Sequence, residues 1–230
     1  MSRTIQGVKC CVIGGAGFLG SHLVDHLIKD RDCEVLVLDN LISGKVKYIH
    51  EDAKFIWHDI RQDEDELVKM LKDYPFVFNY AAEPLIDECF SRPLHFFDIN
   101  ATAVLRVLNA CQEAKVEALL QVSSAEIYGA TDGKISESAM VEAHSTYGVS
   151  KLAADGLVQV RWKEAKVPAI AMRQFNCVGP RLCHDFVVPA ILTQLAVGPL
   201  VALGNNSTRD FLASYDAVRM AVSILEHAEF

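Results

Sequence analysis

Val12-Ile13-Gly14-Gly15-Ala16-Gly17-Phe18-Leu19-Gly20 decides the fold of this chain. Apolar residues run into Gly14, Gly17 and Gly20, and an amphipathic run from Ser21 to Lys29 follows. That order reads as strand, tight turn, helix. Gly14 permits the turn, Gly17 lets the backbone approach a pyrophosphate, and Gly20 lets the helix pack close to the strand. The diphosphate would sit on free N–H groups at the helix N-terminus, where Phe18 and Leu19 stand. A glycine triplet alone is a weak signal, so the next strand matters. Val35-Leu36-Val37-Leu38 ends in Asp39, nineteen residues after Gly20. An acid there accepts hydrogen bonds from both adenosine ribose hydroxyls and repels a 2′-phosphate. The segment therefore predicts a dinucleotide site that prefers NAD to NADP.

Working outward, 230 residues can hold one large α/β domain, or one domain and a small lobe. Half the residues are hydrophobic, which supplies a sizeable core. A net charge of -8 argues against a nucleic-acid surface and gives no basic patch for anionic lipid. No uncharged apolar run reaches membrane-spanning length, and Met1 to Lys9 holds no apolar signal core. Cys10, Cys11, Cys33, Cys89, Cys111, Cys177 and Cys183 form an odd set without a Cys-x-x-Cys pair. They read as reduced, mostly buried thiols of a cytoplasmic protein. His22 and His26 lie one helical turn apart with no third ligand in register, so no metal site is expected.

The apolar pattern predicts strands near 8–13, 34–38, 54–57, 76–80, 117–122, 168–173 and 200–203. Helices are predicted near 18–29, 63–72, 98–114, 148–165, 187–197 and 215–227. Such alternation implies a doubly wound parallel sheet, a Rossmann fold, with ligands beyond the carboxyl ends of its strands. The polar loop from Gly129 to Ser145 is expected to border a site. After Val178-Gly179-Pro180-Arg181 the alternation weakens. Residues 1–178 are therefore assigned to the dinucleotide-binding domain and 179–230 to a small C-terminal substrate lobe interleaved with it.

Tyr147-Gly148-Val149-Ser150-Lys151 is the second chemical signal. On a helix, i and i+4 share a face, so the Lys151 ammonium can sit beside the Tyr147 phenol. A phenol with a pKa near 10 is a poor base at neutral pH, and a nearby cation is expected to lower it. Tyr147 could then take a proton from a substrate hydroxyl while hydride leaves for NAD. Upstream, Gln121-Val122-Ser123-Ser124-Ala125-Glu126-Ile127-Tyr128-Gly129 closes a strand with two hydroxyls and an acid. A serine there can hydrogen-bond the oxygen that becomes a carbonyl; the plainer reading is a turn or helix cap.

With these features in order, the chain resembles the extended short-chain dehydrogenases/reductases of the NAD-dependent epimerase/dehydratase family, which modify nucleotide sugars. The likeness runs from about Val8 to the end. Beyond the glycine motif, Asp39-Asn40-Leu41 matches the ribose-binding segment, and in His58-Asp59-Ile60 the acid, Asp59, matches the residue that contacts adenine; Ile60 follows it. Asn79-Tyr80-Ala81-Ala82 matches a segment that usually begins with histidine, and Asn100 matches a structural asparagine. The resemblance thus implies cofactor contacts at Ala81, Ala82, Asn100, Tyr147 and Lys151 as well. Ser124, Tyr147 and Lys151 fall on its catalytic triad. Asn176, in Arg173-Gln174-Phe175-Asn176, and Arg209, in Thr208-Arg209-Asp210-Phe211, fall on residues that hold the sugar nucleotide.

The resemblance implies oxidation at sugar C4 to a transient 4-keto intermediate, followed by epimerisation or elimination. Glu126 bears on which. Family dehydratases typically carry Asp-Glu after the catalytic hydroxyl, and some decarboxylases and GDP-sugar dehydratases carry Ser-Glu. Here the pair is Ala125-Glu126, so Glu126 could abstract a proton beside the keto group while alanine removes a partner acid. A UDP-glucuronate-type decarboxylase remains an alternative, as do a non-catalytic NAD-binding protein and a dehydrogenase of small carbonyls. Relatives continue past the Arg-Asp-Phe segment, which predicts an incomplete substrate lobe, open on one side. Family members commonly dimerise through two helices, here near 98–114 and 148–165. Ala101, Val104, Leu105, Val107 and Leu108 on the first, and Leu152, Ala153, Leu157, Val158 and Val160 on the second, exceed one sheet-facing stripe. A homodimer is expected.

Overall fold

A computed structural model of the protein describes residues 3–130, 133–198 and 208–230. Its main sheet has six strands: β1 (Lys9–Ile13), β2 (Glu34–Asp39), β3 (Lys54–Trp57), β4 (Phe76–Asn79), β5 (Ala118–Ser124) and β6 (Ala169–Gln174). All pair in parallel, in the order β3-β2-β1-β4-β5-β6. This is the doubly wound arrangement expected from the alternating pattern, with its order reversing between β1 and β4. The predicted strand at 200–203 lies outside the described residues.

Successive side chains of a strand point to opposite faces, and both faces here are covered. Cys10 and Val12 of β1 face one core, with Leu23, Val24 and Leu27 of α1 (Phe18–Lys29). Cys11 and Ile13 face the other, with Leu67 and Leu71 of α2 (Glu64–Leu71). Complete burial of one large side chain such as Phe78 contributes about 2 kcal/mol. Burial on both faces explains why these strands read as unbroken apolar runs.

Two short helices, α3 (Ile86–Cys89) and α4 (Pro93–Phe97), were not expected. Neither is long enough to show a helical period in sequence. The helix predicted from 98 opens as a π turn, Asp98–Thr102, before α5 (Ala103–Glu113). Next come α6 (Thr146–Ala165), α7 (Val187–Val197) and α8 (Ser214–His227), each within two residues of its predicted bounds. Two unexpected three-residue strands, β7 (Asn176–Val178) and β8 (Phe211–Ala213), form a separate parallel pair. Three residues are too few to display alternation.

The structure redraws two packing expectations. Val218, Ala221, Val222 and Leu225 of α8 are buried in the same core as α1, so α8 helps to cover one face of the main sheet. Among the apolar residues expected to be surplus on the dimer helices, Val104, Val107, Leu108 and Val158 are buried in the chain's own core, and Ala101 is buried as well. They cannot reach a partner; Leu105, Leu152, Ala153 and Val160 keep some exposure.

Candidate functional site

The reversal of strand order between β1 and β4 opens a crevice at their carboxyl ends, and the glycine loop sits there. Gly14 has φ +78, a conformation L side chains rarely adopt, and a Cβ there would lie 2.6 Å from the Ala81 nitrogen. A Cβ on Gly20 would run into the Gly14 carbonyl oxygen. Both positions admit only glycine, as the sequence implied. Gly17 is the N-cap of α1 and offers no side-chain cap. The N–H groups of its first turn, at Phe18 and Leu19, therefore have no side-chain cap, and Gly14 and Gly17 beside them line the crevice.

One cleft gathers eight of the predicted cofactor residues: Gly14, Gly17, Asp39, Asn40, Asp59, Ile60, Ala81 and Ala82. Asp39, at the end of β2, accepts from the Ala16 N–H at 2.9 Å and the Leu41 N–H at 2.8 Å. Burial pushes its carboxyl above the usual value, although both N–H bonds favour the ionised form. Two oxygens have about four acceptor positions, so two remain for ribose hydroxyls. Asp59 accepts from Arg61 Nε at 2.9 Å and from Asn40 Nδ2 at 3.1 Å. The Arg61 bonds hold its carboxyl well below the usual range. Sequence reasoning did not single out Arg61, Glu83 or His58, yet Glu83 and His58 also line the cleft.

Asn100 ties the loop after β4 to α6. It is fully buried; its Oδ1 accepts from the Glu83 N–H at 3.0 Å, and its Nδ2 donates to the Glu83 carbonyl at 3.1 Å and Ser150 at 3.2 Å. Those bonds occupy the carboxamide and hold the loop after β4 against α6. Asn79 donates to Gln121 Oε1 at 2.7 Å across β4 and β5. The strand register places Asn79 opposite Gln121.

The second half of the site lies on β5 and α6. Ser124 ends β5, and its hydroxyl accepts from the Glu126 N–H at 3.2 Å, capping the 3-10 turn Ala125–Tyr128. Both sequence readings of Ser124, cap and reacting hydroxyl, are compatible with this position. Ser145 caps α6, accepting from the Gly148 N–H at 3.0 Å. That cap fixes the first turn, which presents Tyr147 toward Ser124. Lys151, one turn on, is buried and donates to the Val122 carbonyl at 3.2 Å, with Nζ 5.9 Å from the Tyr147 ring centre.

Burial governs the electrostatics of both groups. Burial pushes the Tyr147 phenol above its ordinary value; the Ser124 hydroxyl bond opposes this, and the Glu126 charge adds to it. The same burial moves the Lys151 ammonium down to about 8. Glu126 is exposed, within electrostatic reach of Tyr147. Asn176 and Arg209 are exposed as well. The β7–β8 pairing sets Asn176 opposite Phe211, two residues from Arg209, which brings both to one small sheet.

The NAD dependent epimerase/dehydratase family model matches residues 10–230. A Bacillus subtilis protein described as an uncharacterized UDP-glucose epimerase is 28% identical over 229 residues, covering 95% of this chain and 72% of its own. A human dTDP-D-glucose 4,6-dehydratase is 30% identical, and the chain spans 95% of itself and 65% of that protein. Among solved structures, the UDP-N-acetylglucosamine 4-epimerase of Methanobrevibacter ruminantium superposes with a TM-score of 0.89 at 27% identity, over 98% of this chain and 74% of the other. A UDP-glucuronic acid 4-epimerase from Bacillus cereus, solved with UDP-glucuronic acid and NAD, gives 0.87 at 28% identity, covering 96% and 74%.

Proposed function

Because the chain belongs to the NAD-dependent epimerase/dehydratase family, we propose that it binds NAD and a nucleotide sugar and oxidises the sugar at C4, before epimerisation or elimination. The observation that carries this reading is the junction of two structures at one sheet edge. A glycine-cradled cleft lies beyond β1, β2 and β4, and Ser124, Tyr147 and Lys151 stand beyond β5.

The residues fit a dinucleotide. The uncapped α1 N-terminus suits the diphosphate, Asp39 the adenosine ribose, and the Asp59–Ile60 segment the adenine. Bound NAD supplies the hydride acceptor and a fixed positive ring. Tyr147 takes the proton of the sugar hydroxyl, and Ser124 orients the oxygen that becomes a carbonyl. Lys151, largely protonated at neutral pH with its pKa near 8, favours the tyrosinate and reaches the nicotinamide-side ribose. Asn176 and Arg209 hold the substrate's diphosphate. Glu126 is the acid available beside a 4-keto group, which leans the reading away from simple epimerisation. The protein works as a homodimer in a reducing compartment; all seven cysteines are free thiols.

Tyr147→Phe tests the proposal. The ring still packs but the ionisable oxygen is gone, so turnover of UDP- or dTDP-sugars should fall by at least about 100-fold, the scale of one general base. NAD affinity by calorimetry should stay near wild type. Retention of most of the rate would remove Tyr147 from its assigned role. In the same assay Asp39→Ala should weaken NAD and erase the preference over NADP.

A further inference from the structure

We propose that Arg173 is a positioning residue: it clamps the turn after Ser124 to α6 and keeps the Asp155 carboxylate from pairing with Lys151. The guanidinium, at the end of β6, joins three elements. Its Nε donates to Asp155 Oδ2 at 3.0 Å and its Nη2 to Asp155 Oδ1 at 3.1 Å. Its Nη1 donates to the Tyr128 hydroxyl at 2.7 Å and to the Glu137 carbonyl at 2.9 Å. Its carbon also lies 5.2 Å from the Tyr128 ring centre. Only a planar five-donor fork can serve a carboxylate bidentately and two oxygens besides.

The elements so joined carry the two halves of the site. Tyr128 ends the turn that contains Glu126 and follows Ser124. Asp155 lies on α6 at i+4 from Lys151 and i+8 from Tyr147, on the buried face of the helix. At i,i+4 a lysine and an aspartate are within pairing reach. Yet among the described residues no ion pair joins them: Lys151 donates to the Val122 carbonyl, while Asp155 is held by Arg173 and by Gln159 Nε2 at 3.2 Å. The charged and titratable groups around this stretch are Tyr147 and Asp155 on α6, Glu126 and Tyr128 on the turn, and Arg173 on β6. With Asp155 neutralised from the sheet side, the Lys151 ammonium stays available to the phenol and the ribose. This role rests on the function proposed above only in what it assigns to Lys151 and Tyr147.

The test reads Lys151 directly and needs no turnover. In the whole chain labelled with 13C-lysine, the Lys151 Cε signal is assigned by its loss in Lys151→Met and titrated by NMR. Arg173→Gln should raise its midpoint by about one unit, as a freed carboxylate within reach does. Arg173→Gln/Asp155→Asn should return it to the wild-type value, and Arg173→Lys, which keeps the charge on Asp155, should stay near wild type. An unchanged midpoint in folded Arg173→Gln overturns the proposal. So does a lowered midpoint in the neutral double variant, which would show Lys151 already feeling Asp155; that variant serves if the single one does not fold. Amide exchange of residues 125–130 and 133–137 should quicken in Arg173→Lys, where one ammonium cannot also hold Tyr128 and Glu137; exchange as slow as in wild type overturns the clamp. Failure here leaves the Tyr147→Phe result untouched, and the reverse.

Discussion

An ammonium without a carboxylate partner in a buried helix face weakens the fold, and among the described residues Lys151 has none. Its pKa falls from 10.5 to about 8 through desolvation. Below about pH 8 both states hold the proton, and the folded state carries the full burial cost, about 3 kcal/mol at 1.36 per unit. Between about pH 8 and 10.5 the unfolded chain holds a proton that the folded chain has released, so stability rises with pH across that window. Lys151→Met should therefore be more stable than wild type at pH 7, with the gap narrowing from about pH 8 and closing only above about pH 10.5; denaturant titrations at several pH values measure it. A gap independent of pH would show the ammonium to be better solvated than described. Gly14 carries the opposite kind of constraint. Gly14→Ala meets both positive φ and the Ala81 backbone, and should lose about 1–3 kcal/mol in the same titrations. Gly14, Asp39, Tyr147 and Lys151 were legible in the sequence because each sits in a short local pattern. Arg173 was quoted in a motif but given no role, since its partners lie 18 and 45 positions away. Spacing that long leaves no periodic trace.

At the scale of elements, α6 matters most because it carries Tyr147 and Lys151 on its buried face. Its start is set by one hydroxyl, Ser145, whose acceptance from the Gly148 N–H satisfies an otherwise orphan donor. Ser145→Ala should cost about 1 kcal/mol of stability. Fraying of the first turn should also move the Tyr147 phenol, so turnover should drop by more than the stability loss implies. Loss of stability with unchanged turnover would mean the turn is held by packing instead. The long elements were readable because apolar residues recur at helical spacing or run unbroken through a strand. The π turn at 98–102 was not readable: its apolar residues continue the pattern of α5, and only the backbone reveals the wider coil. The short β7 and β8 escaped for want of length, although they position Asn176 near Arg209.

At the scale of the whole molecule, the proposed dimer depends on which apolar surface is left over. The stripe Val104, Val107, Leu108 and Val158 is consumed by the internal core. What remains is a different set. Val149 and Val160 on α6 lie three turns apart on one outward face, with Ala153 and Gly156 between them, and a Cβ on Gly156 would meet nothing within 4 Å. Beside α6, the α3–α4 segment exposes Phe90 at 69% and Leu94 at 85%, with Phe97 also exposed. Large apolar side chains this exposed on neighbouring elements are the kind of surface a second copy covers. Burying one leucine-sized group per subunit contributes about 2 kcal/mol, so a single charge placed there should be decisive. Wild-type chain at micromolar concentration should scatter light as a dimer. Leu94→Glu or Val149→Glu should scatter as a monomer while keeping the wild-type far-ultraviolet dichroism and NAD affinity. Monomeric wild type, or a dimer indifferent to both substitutions, would place the contact elsewhere or remove it.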